Sequence, residues 1–139
     1  RGLPKGDVTQ GMIISMQPFT NKILVMKLSG KDLKEAMDVY AVRGGDGVSE
    51  AVDVTYDPST GKVVSLTVDG KPVDDDKIYT VATIDYLAGG GDYMVPLKRG
   101  EIIAQSENIV YDDLIDYIKK NSRKKINPSD KSRFVAVGK

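Results

Sequence analysis

The stretch "YTVATIDYLAGGGDY", residues 79–93, joins a β-rich run to a tyrosine, three consecutive glycines and an aspartate. Its first half has the composition of a strand, and we predict a strand over residues 77–84. Ordered glycines cost backbone entropy, so a folded domain keeps three in a row where the chain turns sharply or another group approaches closely. We therefore expect the chain to bend at these glycines and the bend to serve one of these two needs.

The glycine triplet does not fit the two common phosphate-binding loops. A Walker-type loop needs Gly-Lys-Ser/Thr after its glycines, and a dinucleotide-binding loop needs a strand, a turn and a helix in that order. Neither pattern continues beyond Gly91. Both phosphate-loop interpretations are therefore excluded.

An aromatic ring and a carboxylate in one loop suit a different ligand. A flat base stacks well on side-chain rings, and one carboxylate can accept hydrogen bonds from both hydroxyls of a sugar diol. Tyr86 and Asp92 supply one of each, and Phe19 in "QPFTN", residues 17–21, supplies a second ring. Singly, these residues also fit roles in a core or a turn. The residue types alone leave both interpretations open.

The composition is typical of one globular domain. The chain has 139 residues, of which 40% are hydrophobic and 29% charged, with 20 basic and 20 acidic side chains. It shows no basic stripe of the kind that binds nucleic acid, and the run "KKNSRKK", residues 119–125, is typical of a solvated helix end. No apolar stretch has the length of a membrane span.

The residues indicate no metal or catalytic centre in this chain. It contains no cysteine and no histidine, which excludes disulfides, the usual zinc and iron sites and the commonest general base. The acidic run "VDDDK", residues 73–77, lacks the spacing of a calcium loop. We predict that its carboxylates face solvent.

The rest of the chain predicts an α+β fold. Thr9 is placed to cap a short helical turn over residues 12–16, and residues 22–28 predict a strand that could be buried on both faces. The other predicted elements are a helix over 29–42 capped by Ser29, a hairpin of 50–57 and 62–69, a helix over 108–120 and a strand over 133–137. We expect one domain, residues 1–139, with a mixed or mainly antiparallel sheet and two main helices.

Several motifs resemble, in order, the C-terminal domain of the 5′-nucleotidase family, which includes UDP-sugar hydrolases and 2′,3′-cyclic-nucleotide phosphodiesterases. The motifs are "KGDVT" (5–9), "QPFTN" (17–21), "LSGKDLKEAM" (28–37), "VDGKPVDDDKIYTVAT" (68–83) and "DYLAGGGD" (85–92). The resemblance implies a domain that holds the nucleoside part of an AMP-like nucleotide. It implies a base stacked between Phe19 and Tyr86, ribose hydroxyls bound by Asp92, and Asn21 at the base edge.

The resemblance implies two further contacts and shows three departures. Arg1 corresponds to an arginine that contacts phosphate, and Gly47 to a backbone contact with the base. Tyr86 replaces the family's usual phenylalanine, while Thr20 and Tyr93 stand where glycines are common. These departures leave the base preference open. They also motivate an alternative, a stand-alone binding or interaction module that keeps the scaffold without nucleotide hydrolysis.

The resemblance assigns the hydrolytic chemistry to a different domain. In the family, an N-terminal metallophosphatase domain holds a pair of divalent metal ions, such as zinc, manganese or cobalt. The C-terminal domain, which this chain resembles, holds no cofactor of its own. The chain begins at Arg1 without a methionine, so we expect further sequence upstream. The resemblance implies a metallophosphatase domain there or in a partner chain. We predict that this chain alone is inactive, and the resemblance implies a periplasmic, extracellular or surface-anchored protein.

Overall fold

Strands and two longer helices alternate along most of the chain. The computed structural model describes residues 3–121 and 131–138. The helices are α1 (Gln10–Met16), α2 (Gly30–Val42), α3 (Asp85–Ala88) and α4 (Val110–Lys120). The strands are β1 (Lys22–Ser29), β2 (Val52–Asp57), β3 (Lys62–Val68), β4 (Lys71–Pro72), β5 (Ile78–Ile84), β6 (Glu101–Ile109) and β7 (Phe134–Ala136). Two short 3-10 helices, Gly91–Tyr93 and Val95–Arg99, lie between α3 and β6.

Within the described residues, the first sheet has three strands, with β1 between β5 and β6 and antiparallel to both. Ile23 pairs with Ile84, and Lys22 pairs with Ile109. The segments before β1, after β5 and after β6 therefore leave the sheet at the same end. We refer to it as the Lys22 end of the first sheet.

The second sheet has the strand order β4-β3-β2-β7. Strands β2 and β3 form the predicted hairpin, and β7 joins β2 in parallel. The predicted class, an α+β domain with mixed, mainly antiparallel sheets and two main helices, is confirmed.

Helix α2 begins where the capping pattern predicts. The Ser29 hydroxyl accepts a hydrogen bond from the Asp32 amide and donates one to the Asp32 carboxylate, both at 3.1 Å. Such caps satisfy amides that the first helical turn leaves without partners. Ala36 and Met37, on adjacent positions of the helix, are buried. Helix α2 starts where β1 ends, and Arg43, the residue after it, contacts Asp92 in the segment that follows β5, so the helix runs back along the sheet toward the Lys22 end.

One core joins both sheets and α2. Its buried residues come from β1, α2, β2, β3 and the segments that flank β5, and they are Leu24, Met26, Leu28, Ala36, Met37, Val54, Leu66, Val73, Ala88, Met94 and Leu97. Burial of this apolar surface is the main favourable term in folding. The loops at the Lys22 end are thus supported by a packed interior.

Two expectations about strands require correction. Strand β1 is not buried on both faces: Leu24, Met26 and Leu28 point inward, while Lys27 is exposed. Strand β6 was not predicted, and residues 101–105 at its start are all exposed. Strand β6 pairs with β1 through backbone hydrogen bonds, which form whatever the side chains are. Its sequence therefore lacks the alternation of apolar and polar residues from which a strand is predicted.

Candidate functional site

Phe19 and Tyr86 both lie in segments at the Lys22 end of the first sheet. Phe19 precedes β1, and Tyr86 is the second residue of α3, directly after β5. The two residues are 64% and 51% exposed. Among the described residues, neither ring contacts another aromatic ring, since the ring pair in contact is Tyr56 with Phe134. Both rings are therefore accessible to a ligand from solvent.

The three glycines after α3 occupy positions with different structural requirements. Gly89 has an ordinary φ of −77° and ends the helix, whereas Gly90 has a φ of +93°, in the region that favours glycine. At Gly91 a Cβ would lie 2.5–2.6 Å from three ring carbons of Tyr86. The chain thus turns sharply at Gly90 and lets a ring lie directly on the backbone at Gly91. Both explanations for the triplet apply, one residue apart.

Residues 89–93, which we call the glycine loop, are anchored at both ends. Ala88 before it and Met94 after it are buried in the core, and Met94 is fully enclosed. Between them, Asp92 and Tyr93 have φ values of +52° and +65°. Aspartate tolerates this left-handed region, but a bulky tyrosine rarely adopts it, and such strain concentrates at functional sites. The loop therefore has a defined, strained conformation, in which Tyr93 is 85% exposed.

The carboxylate of Asp92 is oriented by two neighbours. The Tyr86 hydroxyl donates a hydrogen bond to Oδ1 at 3.2 Å. Arg43, the residue after α2, donates from Nη2 to the Asp92 carbonyl at 2.7 Å, and its Nη1 lies 3.9 Å from Oδ2. The Asp92 side chain stays 53% exposed. An ionised carboxylate has about four acceptor sites, so this one keeps acceptor capacity for a ligand.

Tyr40 supports Arg43 from the last turn of α2. The Arg43 guanidinium lies 5.6 Å from the centre of the Tyr40 ring, within the range of a cation–π contact. Burial raises the pKa of Tyr40 above its ordinary value, and the negative charge of Asp46 raises it further. Tyr40 therefore remains a neutral ring at physiological pH and presents an intact face to the cation.

The other predicted residues differ in their relation to this loop. Asn21 directly precedes β1, and its carbonyl accepts a hydrogen bond from the first amide of α4, Val110, at 2.9 Å. Its side-chain amide forms no hydrogen bond within residues 3–121 and 131–138. Gly47 lies four residues after Arg43, and its amide donates to the Asp46 carboxylate at 2.7 Å. Arg1 lies outside the described residues.

Gly47 lines a pocket whose lining does not include the two exposed rings. The pocket has a volume of about 200 Å³ and lies between the loop after α2 and the start of β7. Its lining residues are Gly44, Gly45, Asp46, Gly47, Val48, Ser132, Arg133 and Phe134. Tyr86 and Asp92 are thus linked by a hydrogen bond, and Phe19 and Asn21 lie at the same end of the sheet. Gly47 lies in the pocket after α2.

The described residues do not fit a metal centre. Within that part of the chain, no group of three or more acidic side chains is arranged to hold an ion. The carboxylates of residues 74–76 are exposed, and Asp75 pairs with Lys34 at 2.6 Å. Over the same residues, no helix combines the length and apolar character that crossing a bilayer requires.

Arg43 is the residue of this site that the sequence patterns did not predict. It lies 49 positions from Asp92 along the chain. In sequence it reads only as the polar end of a helix before a glycine-rich loop. The contact depends on the length of α2 and on its direction across the sheet. Neither can be predicted from the pattern of neighbouring residues.

Together, these features define an α+β domain that carries exposed rings, an anchored glycine loop and an oriented carboxylate at one end of a sheet. Residues 1–99 match the family described as the 5′-nucleotidase, C-terminal domain, and the chain belongs to that family. The resemblance inferred from the sequence motifs is confirmed.

Relatives and a solved structure cover nearly the whole chain. It is 27% identical to the silent protein UshA(0) of Salmonella typhimurium over 96% of this chain and 24% of that protein. It is 27% identical to the trifunctional nucleotide phosphoesterase protein YfkN of Bacillus subtilis over 98% of this chain and 10% of that protein. The crystal structure of a 5′-nucleotidase precursor from Thermus thermophilus superposes with a TM-score of 0.84, at 25% identity, over 99% of this chain and 29% of that one. The chain therefore spans less than a third of each of these proteins.

Proposed function

We propose that this chain binds the nucleoside part of a nucleotide for a 5′-nucleotidase-type hydrolase. In this proposal Phe19 and Tyr86 stack on the two faces of the base, and Asp92 binds the ribose hydroxyls. Asn21 contacts the base edge and Gly47 supplies a backbone contact, while Arg1 contacts phosphate. The observation that carries the proposal is the Tyr86–Asp92 hydrogen bond of 3.2 Å on an anchored loop, at the sheet end where Phe19 is also exposed.

The position of Tyr86 supports its role as a stacking ring. Because Gly91 lies against its ring, the backbone covers part of the aromatic surface and holds the ring's orientation. Stacking needs a flat surface that is fixed before the ligand arrives, since ordering it during binding would reduce the affinity. The Tyr86 ring is held by Gly91 before a ligand arrives, and because the residue is half exposed, the ring remains accessible for stacking.

Removing either ring should weaken nucleoside binding. We expect Phe19→Ala and Tyr86→Ala each to reduce the affinity for adenosine by about 1–3 kcal/mol, or roughly 5- to 150-fold, because each change removes one stacking surface. Isothermal titration calorimetry with adenosine and AMP measures the effect. Val64→Ala is the matched control, since Val64 on β3 is 61% exposed but lies in the second sheet.

The control should bind adenosine as the unchanged chain does. If both ring variants also retain full affinity, the clamp is wrong. A well-folded chain that binds neither adenosine nor AMP would instead favour the alternative, a binding or interaction module that uses this scaffold for another partner.

We assign hydrolysis to a separate metallophosphatase domain, because the described residues offer no metal site. Two-metal hydrolysis needs paired ions to activate water and to stabilise the leaving oxygen. We therefore expect no phosphate release from AMP by this chain with Mn²⁺, Co²⁺ or Zn²⁺ added. A colorimetric phosphate assay measures this, and metal-dependent turnover by the purified chain would refute the division of labour.

The sequence upstream of Arg1 tests the remaining parts of the proposal. We propose a metallophosphatase domain there or in a partner chain, and a periplasmic, extracellular or surface-anchored location. The similarity to a 5′-nucleotidase precursor supports both. A full reading frame with neither a metallophosphatase domain nor an export signal, and no such partner encoded beside it, would contradict them.

A further inference from the structure

We infer that Arg43 is a positioning residue that holds the sugar-binding carboxylate of Asp92 in place. This inference rests on the proposed nucleoside site. Arg43 reaches the glycine loop from the end of α2 and makes two interactions there, one with the backbone of Asp92 and one with its side chain.

The backbone interaction acts on the strained part of the loop. The carbonyl that accepts from Arg43 at 2.7 Å belongs to the peptide group between Asp92 and Tyr93. Both flanking residues have positive φ values. A left-handed tyrosine is unfavourable by itself, so this peptide persists only where its surroundings hold it. Arg43 supplies a charge-assisted hydrogen bond at that point.

The side-chain interaction leaves the carboxylate open to a ligand. Oδ1 accepts from the Tyr86 hydroxyl, and the Arg43 Nη1 lies 3.9 Å from Oδ2. That distance exceeds hydrogen-bond range, so Arg43 leaves the acceptor sites of Oδ2 unoccupied. No described residue donates a hydrogen bond to Oδ2. This oxygen is therefore available to the hydroxyls of a diol.

A purely structural role for Arg43 predicts a different result. Solvent-exposed ion pairs contribute little to stability, and the Arg43 side chain is 38% exposed. If Arg43 only braced the fold, its loss would lower stability and weaken every ligand alike. If it positions Asp92, its loss weakens only ligands that carry the ribose hydroxyls.

Two probes separate these roles: adenosine, which has the 2′ and 3′ hydroxyls, and 2′,3′-dideoxyadenosine, which lacks both. We expect Arg43→Ala to weaken adenosine binding about 3- to 10-fold, the effect of one lost polar interaction, and to leave dideoxyadenosine within about twofold. Arg43→Lys should recover part of the adenosine affinity, because its ammonium can donate to the same carbonyl. Arg99→Ala is the control, since Arg99 is also an exposed arginine but pairs with Asp32 and Glu35.

Calorimetry with both probes, together with the melting temperature of each variant, tests the inference. Equal losses for both probes, or no loss for adenosine, would overturn it. If Arg43→Ala does not fold, Arg43→Gln, which keeps a shorter amide donor, takes its place and is judged by the same comparison. An unchanged chain that fails to prefer adenosine over dideoxyadenosine defeats the proposed ribose site, whereas normal preference in both the unchanged chain and Arg43→Ala defeats only the role of Arg43.

Discussion

Gly91→Ala is expected to weaken adenosine binding about as much as removal of the Tyr86 ring, roughly 5- to 150-fold. A Cβ at this position would lie 2.5–2.6 Å from the Cζ, Cε1 and Cε2 atoms of Tyr86, far inside van der Waals contact. The ring must leave its position over the loop. It then loses both its stacking orientation and its hydrogen bond to Asp92.

The same change should alter stability little. Tyr86 is half exposed, so its ring can rotate toward solvent without opening the core. Gly89→Ala is the matched control, because Gly89 has an ordinary φ and its Cβ would meet the Asp85 carbonyl oxygen at 3.4 Å, an ordinary contact. Titration calorimetry and thermal melts on both variants measure the two effects. Full adenosine affinity in Gly91→Ala would show that the Tyr86 position is unimportant for binding.

Gly30→Ala is expected to destabilise the fold by about 3 kcal/mol or more, through overpacking that cannot relax. A Cβ on Gly30 would lie 1.8 Å from the Asp74 carbonyl oxygen and 2.6 Å from its carbon. Both partners are backbone, and the same region holds the start of α2: the Gly30 amide donates to the Lys77 carbonyl at 2.8 Å, and the Lys31 amide to the Asp75 carbonyl at 3.2 Å. Relief of the clash would break these bonds.

Urea denaturation of Gly30→Ala and Gly11→Ala provides the comparison. Gly11 lies in α1, where an added Cβ would meet its nearest atom at 4.0 Å. Alanine there should be neutral or stabilise by up to about 1 kcal/mol, since glycine is a poor helix residue. A Gly30→Ala midpoint equal to that of the unchanged chain would show that α2 and the connection before β5 are not in close contact.

The elements predicted correctly have local causes. Ser29 and Asp32 lie within one helical turn, so the start of α2 could be predicted from their spacing. The hairpin of β2 and β3 follows from two β-rich runs separated by a short turn. The glycine loop was also predicted locally, because three glycines next to an aromatic residue mark a turn or a close approach.

The features that were missed depend on distant partners. Strand β6 exists because its backbone pairs with β1, about 80 positions earlier in the chain. The requirement for glycine at position 30 comes from the carbonyl of Asp74, which approaches through a different loop. Nothing in the spacing of neighbouring residues encodes either contact.

The amino-acid sequence by itself determined the family, the fold class and the identity of the residues proposed to bind a nucleoside, because these reside in short motifs such as "QPFTN" and "DYLAGGGD". Only the tertiary structure decided that Arg43 meets Asp92 and that the Tyr86 ring rests on Gly91. The physical reason is how far apart the interacting residues lie along the chain. Caps, turns and strand patterns arise between residues a few positions apart, whereas the orientation of the carboxylate depends on how a helix of 13 residues returns across a sheet.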